Sequence, residues 1–125
     1  MDYLYNFFKS AMDEDKSAVV MCNLEHKIVY MNPAACEHYA KYGGEKLFGK
    51  NLLECHNPKS REMIEKVIAW FEKSKSNNRI YTYYSEKENK DVYMIALRDE
   101  NGELIGYYEK HEYRSRENGK MYDFG

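Results

Sequence analysis

Residues 28–35 read IVYMNPAA and contain, in one short run, the end of a strand and the start of a helix. The first three residues are β-branched or aromatic, which favours a strand. Asn32 and Pro33 then combine an N-cap residue with proline at the first helical position, where its missing N–H has no intrahelical partner to lose. The run therefore predicts a strand that leads directly into a short helix, and Gly43 and Gly44 are expected to end that helix.

The residues on either side of this run predict a hairpin and a second helix. Ser17 to Asn23 contains an apolar segment, and a polar turn at 24–26 separates it from the strand at Lys27 to Met31, so the two strands form a hairpin. Asn57 followed by proline, or Ser60, caps a longer helix. Apolar residues recur in this helix with helical period and are expected on its inner face, toward the sheet: Met63, Ile64, Val67, Ile68 and Phe71.

Three further strands are expected in the second half of the chain. Arg79 to Ser85, Val92 to Arg98 and Leu104 to Tyr113 are rich in β-branched and aromatic residues. Between the last two, Asn101 and Gly102 are expected to supply the positive φ angles of a tight hairpin. The order of elements predicts an α+β fold, with one five-stranded antiparallel sheet and its helices on one face.

The N-terminal segment carries an apolar stripe at helical spacing, which predicts an amphipathic helix. The expected organisation is this helix and a charged connector at 1–16, the main domain at 17–113 and a polar tail at 114–125. Both faces of the first and last strands are apolar, whereas a sheet with helices on one side alternates polar residues outward. The helix is therefore expected to cover the outer face of the sheet, in cis or in a homodimer, through Tyr3, Leu4, Phe7, Phe8 and Met12.

Composition narrows the classes of partner. The chain has 125 residues, enough for one domain, and a formal net charge of −2 at pH 7, which gives no attraction to phosphate backbones or anionic lipid. Nucleic acid and membrane are therefore not expected as partners. The sequence has neither the basic and apolar regions of a signal peptide nor a run that could span a bilayer, so a cytoplasmic protein is expected. Its 3 cysteines lack C-x-x-C spacing, which predicts reduced thiols.

Three motifs together resemble the PAS superfamily: IVYMNPAA at 28–35, FGKNLLE at 48–54 and RDENGELIGYYE at 98–109. The stretch CHNPKS at 55–60 is similar to a PAS subtype whose motif reads Cys-His-Pro-Pro-Lys-Ser and which accompanies regulatory domains in anaerobic bacteria. The resemblance implies a PAS fold and a bacterial sensory module for protein interaction and dimerisation. It also implies a cavity between the sheet and the helix after CHNPKS, where such domains hold a small molecule, and a separate signalling protein as partner.

The candidate ligand-binding residues follow from this resemblance: Cys55, His56, Met63, Ile64, Val67 and Ile68. Flavin-binding relatives carry a reactive cysteine in an Asn-Cys-Arg-Phe-Leu-Gln motif near this place, but the residues that hold flavin are absent around Cys55. A haem or redox sensor using Cys55 and His56 is the alternative function, because imidazole is the commonest iron ligand and a thiolate can assist it. A packing role for the pair is the favoured interpretation, and the cofactor is left unassigned.

The remaining polar residues are assigned no chemistry. His26, His38 and His111 have no spacing typical of a metal site and are expected at the surface. Cys22 and Cys36 are expected to be small core residues, because free cysteine is often buried. The sequence has no phosphate-binding glycine loop, no H-E-x-x-H motif and no nucleophile with a supporting base, so a non-enzymatic role is expected.

Overall fold

The computed structural model describes residues 2–125, and the side chains of Asp2 and Cys55 lie outside this description. Within these residues the α-helices are Asp2–Asp13 (α1), Pro33–His38 (α2) and Pro58–Lys73 (α3). The strands are Val20–Asn23 (β1), Ile28–Met31 (β2), Arg79–Ser85 (β3), Lys90–Arg98 (β4) and Leu104–Tyr113 (β5). Between α2 and α3 the chain forms short 3-10 turns at Ala40–Tyr42, Gly44–Leu47 and Leu52–Cys55.

The strands form one five-stranded antiparallel sheet in the order β2-β1-β5-β4-β3. The first and last strands of the chain are therefore neighbours at the centre of the sheet. The predicted α+β fold, with an antiparallel sheet and helices on one face, is confirmed. The bounds of β3 and β5 agree with the sequence analysis, whereas β1 begins at Val20 and not at Ser17.

Asn32 links three parts of the chain. Its side-chain oxygen accepts a hydrogen bond from the backbone N–H of Ala35 at 2.9 Å, which is the N-cap that the sequence predicts, and one from Val19 N–H at 2.9 Å. The amide nitrogen donates to the carbonyls of Met12, Asp15 and Ser17. The residue is fully buried with both polar atoms of its amide satisfied, so it fixes β1, α2 and the end of α1 relative to one another.

Helix α3 begins at the predicted cap and covers part of the sheet. Asn57 accepts a hydrogen bond from Ser60 N–H at 2.8 Å, and proline occupies the first turn. On its inner face, Val67, Ile68 and Phe71 are buried. They form one core with Cys22, Ile28, Met31, Ala35, Met94 and Tyr107, and Ile64 packs against it.

Met63 is 52% exposed, so the prediction that it lies on the inner face of α3 is wrong. At 100° per residue, Met63 lies about a quarter turn from the centre of the stripe that includes Val67 and Phe71. This is far enough to turn its side chain away from the sheet. Helical period alone identified the stripe, but it did not locate the edge of the buried surface.

The loop between β4 and β5 differs from the predicted tight hairpin. Gly102 has a φ of 81°, whereas Asn101 does not have a positive φ. The Asp99 carboxylate instead accepts hydrogen bonds from the N–H groups of Asn101 and Glu103 at 2.9 and 3.0 Å. A carboxylate at the start of the loop therefore sets the turn, and only the glycine needs the left-handed conformation.

Arg98, at the end of β4, forms hydrogen bonds with the end of α3 and the segment that follows it. Its Nη2 donates to the carbonyls of Phe71, Ser74 and Asn77 at 2.7, 3.1 and 3.2 Å. Its Nη1 donates to the carbonyl of Gly102 at 3.0 Å. The guanidinium thus satisfies carbonyls that the C-terminus of a helix leaves without intrahelical partners.

Helix α1 forms as predicted, but its apolar stripe is not covered within one chain. Tyr3, Leu4, Phe7 and Phe8 are between 47% and 71% exposed, and Met12 is half-buried. The end of the helix is held to the sheet, because the Tyr30 hydroxyl donates to the carboxylate of Asp13. None of the helices among the described residues is long and apolar enough to cross a membrane.

Candidate functional site

A cavity of about 460 Å³ lies between the inner face of the sheet and the segment that joins α2 to α3. Ile64 of α3 and Met94 of β4 face it from opposite layers. Much of the remaining apolar wall consists of Ala18, Val20, Ile28, Met31, Leu47 and Leu52. Its polar groups belong to Tyr39, Tyr42, His56, Tyr107, Glu109 and His111.

The cavity exists because the segment after α2 does not continue as an α-helix. Helix α2 ends at His38, and the chain then forms 3-10 turns separated at Gly43, whose φ is 121°. The two glycines therefore shape these turns and do not end α2 as predicted. Side chains of a regular helix would interlock along the sheet. The irregular segment contributes only scattered side chains, such as Leu47 and Leu52, and leaves space beneath them.

Glu109 and His111 of β5 bring polar groups to the inner face of the sheet. Glu109 is paired in register with Met94, and both residues line the cavity. Nε2 of His111 lies 3.5 Å from Oε1 of Glu109, and its Nδ1 is buried without a partner among the described residues. The expectation that His111 lies at the surface is wrong, since it is 8% exposed.

His56 lines the cavity from the entrance to α3. Its Nδ1 lies 2.9 Å from the carbonyl oxygen of Leu52. A carbonyl only accepts hydrogen bonds, so Nδ1 carries the proton, and Nε2 is the acceptor of the neutral ring. The neighbouring candidate, Cys55, has its side chain outside the described part of the chain.

Tyr107 connects the cavity wall to the core and to the β1–β2 turn. Its hydroxyl forms a hydrogen bond with Nδ1 of His26 at 2.8 Å. Burial raises the pKa of the Cys22 thiol to about 11, although a hydrogen bond with Tyr107 acts in the opposite direction. Burial also raises the pKa of the Tyr107 hydroxyl above its usual range. Both groups are therefore protonated at neutral pH, and the thiol is a poor nucleophile.

Lys90 is a buried cation near the polar end of the inner face. It is 4% exposed, its Nζ lies 3.0 Å from Oε2 of Glu88, and it sits 5.5 Å from the centre of the Tyr113 ring. The hydrogen bond from Lys90 lowers the pKa of the Glu88 carboxyl. The pair is thus neutralised internally, and neither residue lines the cavity.

The other predicted ligand-binding residues have different positions. Ile64 lines the cavity, whereas Val67 and Ile68 are buried in the core deeper along α3 and are not part of the wall. Met63 is exposed at the edge of the buried stripe of α3 and does not line the cavity. Among the described residues, no group of three or more histidine, cysteine, aspartate or glutamate side chains is placed to hold a metal ion.

The wall residues Tyr107, Glu109 and His111 are not among the ligand-binding candidates predicted from sequence. The signal that identifies them is their spacing, because residues i, i+2 and i+4 of a strand share one face. Once Tyr107 is placed on the core side, Glu109 and His111 must follow it. The expectation that polar residues of a strand face solvent concealed this set.

The profile of the PAS domain family matches residues 16–109, more than half of the chain. Among solved structures, the chain is similar to the C-terminal domain of a Streptococcus mutans protein, with 19% identity and a TM-score of 0.66 over 87% of this chain and 84% of that one. It is similar to the PAS domain of a Colwellia psychrerythraea protein, with 18% identity and a TM-score of 0.64 over 88% and 96% of the two chains.

The chain is also similar to the Aer2 receptor of Vibrio cholerae, described as a dual PAS-haem oxygen sensor, with 18% identity and a TM-score of 0.55 over 78% of this chain and 94% of that one. A comparison with curated protein sequences finds no match. At these identities the structural likenesses show a shared fold.

Proposed function

The chain belongs to the PAS domain family, and we propose that it is a sensory module that binds a small molecule in its cavity and dimerises to pass a signal to a separate protein. The observation that supports the first part is the cavity of about 460 Å³, a size within the range of small-molecule sites. Its wall is mostly apolar with a few polar groups, which is typical of such sites.

The proposed role is binding and not catalysis. Catalytic nucleophiles need a lowered pKa or an adjacent base. The Cys22 thiol has a raised pKa and is buried. Glu109 and His111 on the wall lie 3.5 Å apart, but such a pair does not by itself make a nucleophile.

Ligand binding is tested with 2-phenylethanol as a neutral probe, detected by ligand-observed NMR. Ile64→Trp places a large side chain in the cavity and is expected to abolish binding. Met63→Trp is the matched control, because the neighbouring residue is exposed and does not line the cavity. Equal binding by the two variants would place the probe elsewhere and contradict the proposal.

Dimerisation is supported by the uncovered stripe of α1. A helix of 12 residues has little stability alone in water, and Tyr3, Phe7 and Phe8 are the kind of aromatic residues that anchor interfaces. The outer face of the sheet is also partly apolar, with Ile95, Tyr108 and Leu97 half-buried. A two-fold arrangement would cover both surfaces with the same contacts.

Light scattering of the intact chain tests the dimer. Phe7→Asp with Phe8→Asp would bury charge in the interface and is expected to give monomers. Asn6→Asp with Ser10→Asp adds the same charge to the polar side of α1 and is expected to leave the dimer intact. An intact chain that stays monomeric at high micromolar concentration refutes this part of the proposal.

The haem sensor is the second candidate, and one observation favours it: His56 lines the cavity with Nε2 as its acceptor. The rest of the described wall does not fit this group. Haem carries two carboxylates, but the charged side chain on the wall is itself a carboxylate, that of Glu109. We therefore expect purified protein to lack a haem absorbance band, and a strong band near 400 nm would reverse this choice.

The proposal extends to the subtype and its setting. The stretch CHNPKS at 55–60 supports a bacterial subtype with a Cys-His-Pro-Pro-Lys-Ser motif. A cytoplasmic location is proposed from the cysteines, which lack a disulfide framework.

A further inference from the structure

The side chains of Glu109 and His56 on the cavity wall favour a ligand that donates hydrogen bonds, whereas the tyrosine hydroxyls of the wall can donate or accept. An ionised Glu109 carboxylate accepts hydrogen bonds and cannot donate them. His56 has its proton on Nδ1 and offers Nε2 as an acceptor. The hydroxyl of Tyr107 is already engaged with His26. A ligand with acceptors alone would leave these wall groups desolvated and without partners, which costs binding free energy.

The charges on the wall favour a cation. Glu109 is the carboxylate of the described wall, to which lysine and arginine contribute nothing. Its ion-pair partner among the described residues is His111, at 3.5 Å, and histidine is a cation only when protonated. Lys90, the permanent cation nearby, is held by Glu88 at 3.0 Å and is 4% exposed. Among the described residues, the carboxylate therefore has no lysine or arginine as an ion-pair partner.

The carboxylate is accessible and has aromatic neighbours. The Glu109 side chain is 43% exposed, so a solute that enters the cavity reaches it. The rings of Tyr39 and Tyr42 also line the cavity, and aromatic faces attract cations. The Tyr42 ring already has Nζ of Lys41 at 5.1 Å from its centre, which shows that a cation can lie over it.

We infer that the cavity takes a small organic amine, whose protonated nitrogen pairs with Glu109 and whose apolar or aromatic body occupies the space beside Ile64 and Met94. The inference rests on the proposed ligand-binding function. His111 lines the same cavity beside Glu109 but is more than nine-tenths buried, so Glu109 is the charged side chain of the wall that a ligand can reach.

Three probes of similar shape test the inference: 2-phenylethylamine, 2-phenylethanol and 3-phenylpropionate, titrated at low ionic strength. The amine is expected to bind at least about tenfold more tightly than the carboxylate, with the alcohol between them. Glu109→Gln keeps the shape of the side chain and removes its charge. It is expected to weaken the amine about tenfold and to leave the alcohol within about twofold.

Glu112→Gln is the matched control. Glu112 lies on the same strand but pairs with Arg79 at 3.4 Å on the outer face, so its loss should leave all three affinities unchanged. The inference is overturned if the carboxylate binds as tightly as the amine, or if Glu109→Gln weakens the three probes equally. If the alcohol binds and the amine is not preferred, the inference fails but the proposed ligand-binding function holds. If none of the three probes binds, both the inference and the proposed ligand-binding function fail.

Discussion

The inner face of the sheet has two halves that are built differently. In the packed half, the C-terminal part of α3 covers the sheet, and Phe71 and Cys22 are 0% and 1% exposed. In the cavity half, 3-10 turns replace a helix, and Ile64, His56 and Glu109 face a space of about 460 Å³. One sheet thus supports a close-packed core and a site with polar groups, and the difference lies in the layer that covers it.

If the cavity binds a ligand as proposed, stability and recognition depend on different halves of the sheet. In the close-packed half, each buried atom contributes to the free energy of unfolding, because a void would lose both dispersion contacts and transfer free energy. A cavity wall contributes less to stability, and it can therefore contain polar residues such as Glu109 and His111. The packed half is expected to determine folding and the cavity half to determine what binds.

The largest expected effect is in the packed half. Phe71→Ala removes a side chain that is fully buried and is expected to lower the free energy of unfolding by about 4 kcal/mol. Ile64→Ala enlarges a space that already exists and is expected to cost about 2 kcal/mol or less. Urea denaturation measures both. Equal losses for the two variants would show that the halves do not differ in packing.

The second prediction concerns the hydrogen bonds of Arg98 at the edge of the packed half and their contribution to stability. Arg98→Ala leaves the carbonyls of Phe71, Ser74 and Asn77 without this donor and is expected to cost about 3 kcal/mol. Arg79→Ala is the control, because its side chain is 52% exposed and should cost less than about 1 kcal/mol. If the two variants unfold at the same urea concentration, the hydrogen bonds of Arg98 do not stabilise the segment after α3.

The packed half was largely predictable from sequence. The sequence predicts Asn32 as a cap and Asn57 as one of two possible caps of α3. The stripe of Val67, Ile68 and Phe71 follows from helical period, because these signals are local. The role of Arg98 was not predicted. Its partners are backbone carbonyls from a distant segment, and no residue type in that segment reveals them.

The cavity half was less predictable for a physical reason. It depends on a space that irregular turns leave open, and turn geometry at Gly43 and Gly44 is not fixed by composition. From sequence, His111 is expected at the surface, because the histidines have no spacing typical of a metal site. A cavity that could accommodate a buried imidazole is not visible at that level. His56 was identified from the resemblance, and the residues across from it on β5 were not.

A third prediction uses pH to probe the core. The Cys22 thiol has its pKa raised from 9.0 to about 11 by burial, so the unfolded chain loses this proton first as pH rises. Its contribution to stability is fully present below pH 9 and is lost as pH rises toward 11. The free energy of unfolding should fall by about 1 kcal/mol between pH 8 and 10 through this thiol.

Urea denaturation at the two pH values measures the change. Cys22→Ala should reduce the difference, while Cys36→Ala, at a half-buried position, should preserve it. The raised pKa of Tyr107 acts in the same direction at higher pH, so the comparison is made against the variants and not against zero. An unchanged difference in Cys22→Ala would mean that the thiol is not desolvated as its burial indicates.

The smallest expected effect on stability is at Tyr42, on the cavity wall. Its side chain is 64% exposed and contributes a ring to the wall without filling the core. Tyr42→Ala is therefore expected to change the free energy of unfolding by about 0.5 kcal/mol or less. Tyr122→Ala, at 87% exposure in the tail, gives the baseline for an exposed tyrosine.

The same Tyr42 variant should weaken the binding of 2-phenylethylamine about threefold, because one aromatic face near the cation is lost. A large loss of stability with unchanged binding would assign Tyr42 to the packed half and would remove the distinction between the two halves at this position.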